Sequence, residues 1–152
     1  MKTILLIGMM FWGLIGMGGN NTVNLSEYSI NEFVSLCTTE LGIDSANVVI
    51  KPYPKLIFDK YYALTYKENG KYIMLISTVM TESESLEIIA HELCHVKQMY
   101  SGTLIVLENG NIIFENKKYS TNSDSHYDDP QEIQARKIGY NIYKKYRNGE
   151  NN

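Results

Sequence analysis

The sequence predicts a single α+β domain, and three observations carry that expectation. Segments with a helical repeat and β-rich runs follow one another as helix, short sheet, helix, hairpin, helix, with no internal repeat or linker. At 152 residues the chain has room for one domain with a real core and not comfortably for two. Hydrophobic residues make up 44% and charged residues 20%, which excludes a disordered chain.

The N-terminal stretch MKTILLIGMMFWGLIGMGGN stands apart from that domain. Lys2 supplies a positive start, Ile4 to Ile15 is an unbroken apolar run, and Gly16 and Gly18 suit the small positions before a cleavage site. The run is shorter than the roughly 20 residues that span a bilayer. Residues 1–19 are therefore expected to be a secretory signal peptide, or a membrane anchor if uncleaved, with the domain over residues 20–152. No cysteine follows the run, which excludes a lipoprotein anchor. A secreted or cell-envelope protein is expected, with membrane association only through this segment.

SINEFVSLCTTELG reads as a helix. Ser29 and Glu32 form a capping box, apolar residues recur at 30, 33/34, 36/37 and 41, and Gly42 ends it. NVVIKPYPKLI begins as a strand and is expected to break at Pro52 and Pro54. YYALTYKENGKYIMLIST is two β-rich runs around Glu68-Asn69-Gly70, a hairpin signal. Thr81 and Glu84 form a second capping box, opening a helix to about Tyr100. Its core stripe is Leu86, Ile89, Ala90, Leu93, Val96 and Tyr100, at a 3.6-residue period. TLIVLENGNIIFE repeats the hairpin signature around Asn109-Gly110, and a polar loop follows. Asp129 as N-cap with Pro130 at the first helical position starts a final helix to about residue 147.

HELCHVKQ, residues 91 to 98, lies within the second helix. Residues four apart on a helix differ by about 40° in direction and share a face. His91 and His95 can therefore present imidazole nitrogens to one ion, while Glu92 lies round the helix and can reach a water beside it. A lone helical histidine is usually structural, but shuffling this composition gives the His-Glu-x-x-His spacing in roughly three of a thousand arrangements. Gln98, one turn on, could orient a ligand, although a solvent-exposed helical glutamine is the plainer reading. Cys94 points nearer the core stripe and is left out of the ligand set. Cys37 and Cys94, the chain's two cysteines, are read as unpaired.

A catalytic zinc has three protein ligands and an open position, so a third ligand should lie elsewhere. His126 and Glu132 are the downstream candidates. Glu132 opens a helical face that continues through Ala135, Gly139, Ile142 and Tyr146, whose small residues allow close approach to another helix. Against this, Glu132 sits at N3 after Asp129, where glutamate also serves as a capping-box partner. Spacing leaves the two roles even.

HELCHVKQ followed by YDDPQEIQAR resembles the gluzincin zinc metallopeptidases, especially their very small, minigluzincin-like single-domain members. The matching downstream pattern is Tyr127, Pro130, Glu132 and Ala135, and the likeness covers roughly residues 72 to 140. It implies a zincin-like fold: a small antiparallel or mixed sheet, an active-site helix, a β-hairpin and a C-terminal helix. It implies zinc held by His91, His95 and Glu132, with Glu92 as general base. It also implies a peptide or protein substrate lying along the sheet's edge strand, for which YIMLIS (72–77) is the candidate. The separate C-terminal helical domain of larger relatives is not expected in these 152 residues, so the resemblance does not define a substrate pocket. Tyr127 and His126 are the only nearby donors for oxyanion stabilisation, and Tyr127 could equally pack the loop onto the helix.

A formal charge of −3 and the absence of a basic block argue against nucleic acid as a partner, since KKYR (144–147) suits a helix end. A monomer is expected. The competing functional readings are a zinc-binding relative that has lost peptidase activity and binds a partner, and an exported metal-free module.

Overall fold

The computed structural model describes residues 27–55, 61–120 and 128–149. The expected signal or anchor segment, His126 and Tyr127 lie outside the described residues. The architecture is mixed α+β, with three helices and two small three-stranded sheets. No helix among the described residues is long and apolar enough to cross a membrane.

Helix α1 spans Glu27–Leu41. Glu27 and Tyr28 are already helical, so the Ser29–Glu32 box does not mark the start. Neither Glu27 nor Tyr28 is a residue type that stops a helix. A 3-10 turn, Ser45–Asn47, is capped by the Asp44 side chain accepting from Ala46 N at 3.0 Å. It leads into β1, Val48–Tyr53.

β1 runs through Pro52 instead of breaking there, because it is an edge strand, where a missing N–H is tolerated. Strands β2 (Ala63–Glu68) and β3 (Lys71–Ser77) form the expected hairpin. Asn69 and Gly70 both have positive φ, 50° and 80°, the requirement of a type I′ turn that asparagine and glycine meet most easily.

The sheet order is β1-β3-β2, with β1 parallel and β2 antiparallel to β3. Residues 72–77 are thus central, and the expectation that they form the edge strand is corrected. The physical reason lies in the strand itself. β3 carries buried residues on both faces, as a strand paired on both sides does, whereas β2 ends in Lys67-Glu68 and β1 contains Pro52. Among the described residues β2 is the free antiparallel edge.

Helix α2, Glu82–Tyr100, has the full Thr81–Glu84 capping box: Thr81 Oγ1 accepts from Glu84 N, and Glu84 Oε2 accepts from Thr81 N at 2.8 Å. The core gathers round this helix. One face of the sheet (Ala63, Tyr72, Met74, Ile76) and residues of α1 (Phe33, Cys37) meet Leu86, Ile89, Leu93 and Val96. Each fully buried aliphatic side chain contributes about 1.5–3 kcal/mol. Ile88 and Cys94 are buried too, so α2 is enclosed beyond its predicted stripe. Tyr100, by contrast, is 54% exposed. It is the last residue of a helix that outruns the core, so its place in the stripe is withdrawn. Cys37 and Cys94 are free and buried.

After α2 the chain forms β4 (Leu104–Val106), β5 (Ile112–Phe114) and β6 (Lys117–Tyr119), a meander closed over Leu104, Ile112 and Phe114. β6 goes beyond the expected hairpin. Its tight turn uses Glu115 and Asn116 at positive φ, with none of the glycine that signals such turns.

Helix α3, Pro130–Asn148, starts at Asp129 and ends on Gly149 in the left-handed region, as helix stop chemistry requires. It lies along α2 with Gln131, Glu132, Ala135, Gly139 and Ile142 buried. Tyr143 hydroxyl bonds Ser83 Oγ in the first turn of α2, and Tyr146 packs edge-on against Phe33 of α1 at 4.8 Å. A Cβ on Gly139 would lie 2.8 Å from His91 N and 2.9 Å from His91 Cα, both backbone atoms. The two helices can touch there only because that position has no side chain.

Gly139→Ala should therefore force α3 away from α2 and destabilise the fold by about 1–3 kcal/mol, the usual range for overpacking. Denaturant unfolding measures this, and unchanged stability would contradict a fixed backbone contact.

Candidate metal centre

Three of the predicted site residues converge in the seam between α2 and α3. His91 and His95 share the face of α2 that Gly139 brings against α3, and Glu132 enters from the first turn of α3. His91 Nε2 lies 2.9 Å from His95 Nε2 and 3.2 Å from Glu132 Oε2. His95 Nε2 lies 3.3 Å from Glu132 Oε1. All three residues are buried. The structure encloses both histidines almost completely, at 1% and 0% exposure.

The Glu132 side chain faces the imidazoles. Asp129 makes no side-chain cap, so the reciprocal capping box that competed for Glu132 does not form. His126, the other candidate third ligand, and Tyr127, the candidate oxyanion donor, lie outside the described residues.

The donor set fits a metal ion. With ligand bonds of about 2.0–2.1 Å, atoms at the corners of a tetrahedron stand about 3.3–3.4 Å apart, close to the separations here. Two imidazole nitrogens and a carboxylate oxygen turned toward one point, with no cation between them, would need a proton there instead. The group His91, His95 and Glu132 could hold a metal ion.

Gln98 fixes one ligand. Its Oε1 lies 2.8 Å from His95 Nδ1, and its Nε2 donates to Gln131 O at 3.0 Å and Gln134 Oε1 at 2.9 Å. With both amide hydrogens committed to α3, the oxygen must face the ring. His95 Nδ1 therefore carries hydrogen and Nε2 is left to face Glu132 and His91. Gln98 is 4% exposed, so the plainer reading of a solvated glutamine is set aside. His91 Nδ1, also buried, has no hydrogen-bond partner among the described residues.

Glu92 is 0% exposed, on the side of α2 toward the sheet. Thr65 Oγ1, in β2, donates to Glu92 Oε2 at 2.6 Å, and Glu92 Oε1 has no partner among the described residues. The carboxyl lies within electrostatic reach of both His95 and Glu132. Sequence reasoning missed Thr65. A threonine inside the apolar run ALTY carries no signal until the sheet register places it against α2.

The charges divide unevenly. Burial pushes His91 down to about 4, aided by the neighbouring His95 charge and opposed by the Glu132 hydrogen bond. Burial works against a charged His95 as well, but the Glu132 carboxylate, Glu92 and Gln98 together outweigh it and hold that ring up at about 9. Burial alone would raise Glu132, yet the His95 charge and hydrogen bonds from both imidazoles keep it well below the usual carboxylate range. Burial pushes Glu92 up to about 7 against the His95 charge and the Thr65 bond. One proton, on His95, thus belongs to the triad around neutral pH.

Comparison of the chain with protein-family models, curated proteins and solved structures finds no match.

An entering divalent ion must displace the His95 proton. At about pH 8, uptake should release about one proton, and apparent affinity should fall about tenfold for each pH unit below that. Titration calorimetry in two buffers of different ionisation enthalpy reads the release directly, and its absence would contradict the shared proton.

Proposed function

We propose that this chain is a zinc-dependent peptidase of the zincin-like, gluzincin type. The observation that carries the reading is the convergence of His91, His95 and Glu132 on one point, with the buried carboxyl of Glu92 in electrostatic reach of it. Two imidazoles and one carboxylate suit zinc, and a three-ligand set leaves a position open for chemistry. The charge balance agrees: a divalent cation offsets the carboxylates of Glu132 and Glu92.

When bound, zinc supplies a Lewis acid that polarises a carbonyl and makes water a stronger acid. Every other role falls to the chain. His91, His95 and Glu132 hold the ion, and Gln98 keeps the His95 ring in the orientation that binding needs. Glu92 accepts the proton of the attacking water and passes it to the departing amine, a task that a carboxyl raised toward neutrality performs well. Burial of the site excludes bulk water, which strengthens each of these interactions.

A peptide substrate has a natural seat. β2 is the free antiparallel edge among the described residues, and its Thr65 touches Glu92, so an extended chain added to that edge would pass beside the base. Tyr127 remains the proposed donor to the developing oxyanion.

Two substitutions separate catalysis from metal binding. Glu92→Gln should retain about one zinc per chain and lose at least a hundredfold in peptide cleavage. Glu132→Ala should lose zinc affinity and activity together. Plasma metal analysis alongside cleavage of a quenched-fluorescent peptide library checks both. Zinc retained by Glu132→Ala would exclude Glu132 as the third ligand.

A further inference from the structure

We infer that Thr65 is a positioning residue for Glu92, holding the base through one carboxylate oxygen while leaving the other to accept a proton. The inference rests on the peptidase reading for its kinetic consequence, though the contact itself does not. Glu92 and Thr65 are both 0% exposed, and the Thr65 Oγ1 to Glu92 Oε2 bond of 2.6 Å joins residues on different elements, β2 and α2. It is the only hydrogen bond to the Glu92 carboxylate among the described residues, because Oε1 is buried without a partner.

A buried carboxylate with one oxygen satisfied and one bare is asymmetric. The satisfied oxygen is fixed in direction by a short charge-assisted bond. The bare oxygen carries the available lone pairs and is where an incoming proton goes. Thr65 is suited to this as a hydroxyl on a sheet strand. Its backbone is held in register opposite Met74, and its Cβ is branched, which restricts χ1. The residue that aims the base therefore lies on the strand proposed to align the substrate, so peptide docking on β2 and the direction of Glu92 are mechanically linked.

The test uses the zinc-loaded full chain with Thr65→Val, which keeps the shape and removes the hydroxyl, and Thr65→Ser, which restores it. Thr65→Val should keep zinc and lower kcat about 10- to 100-fold with KM nearly unchanged, the usual loss for an orienting partner. Thr65→Ser should recover to within about threefold, and adding Thr65→Val to Glu92→Gln should cost nothing further. Full activity in Thr65→Val, or equal losses in the valine and serine variants, would overturn the assignment.

Acetohydroxamate gives a readout that does not need peptidase activity, because its hydroxyl can donate to the base. Its affinity for the zinc-loaded chain should weaken about tenfold in Thr65→Val and return in Thr65→Ser. If the native chain cleaves no peptide, the proposed function fails, and this titration still decides Thr65: equal affinity in all three proteins would refute it.

Discussion

Two helix backbones meet at Gly139, and the candidate site exists because they do. A methyl group at that position would press on His91 N and Cα, so α3 can lie against α2 only where no side chain intervenes. Glu132 and Gly139 are two turns apart on one face of α3, as are Ala135 and Ile142 between and beyond them. The same close approach brings the Glu132 carboxylate to both imidazoles and lets Gln98 bond across to Gln131 and Gln134.

Such a centre does not stabilise the protein by itself. Burying ionisable groups costs several kcal/mol each before any attraction is counted, and a well-packed apolar cluster of the same volume is often at least as stable. His91, His95 and Glu132 nevertheless lie buried in the seam between α2 and α3, and Glu92 is buried against β2. The enclosing elements are well anchored: α2 by its capping box, α3 by Tyr143 on Ser83 and Tyr146 on Phe33. A rigid frame round costly polar groups is the arrangement expected of a site in which strongly interacting ligands must be held in advance.

Much of this was legible in the sequence where the information is local. His91 and His95 share a face by helical spacing alone, and the small residues after Glu132 announced a close helix contact that Gly139 makes. The Asn69-Gly70 hairpin and the Thr81 cap follow from the conformations those residues favour. What escaped prediction depends on pairing between distant segments. Thr65 lies 27 residues before Glu92, and only the strand register joins them. Strand order is likewise a tertiary choice, so residues 72–77 were placed at the edge when their two buried faces belong at the centre. β6 was missed because Glu115 and Asn116 adopt positive φ without glycine.

The central claim is that a single ion is gripped by His91, His95 and Glu132. Anomalous X-ray scattering at the zinc absorption edge, from crystals of the protein grown with zinc, tests it most directly. One strong peak should lie about 2 Å from His91 Nε2, His95 Nε2 and a Glu132 carboxylate oxygen. No peak at that point, or a peak that Glu132 does not touch, would contradict the account.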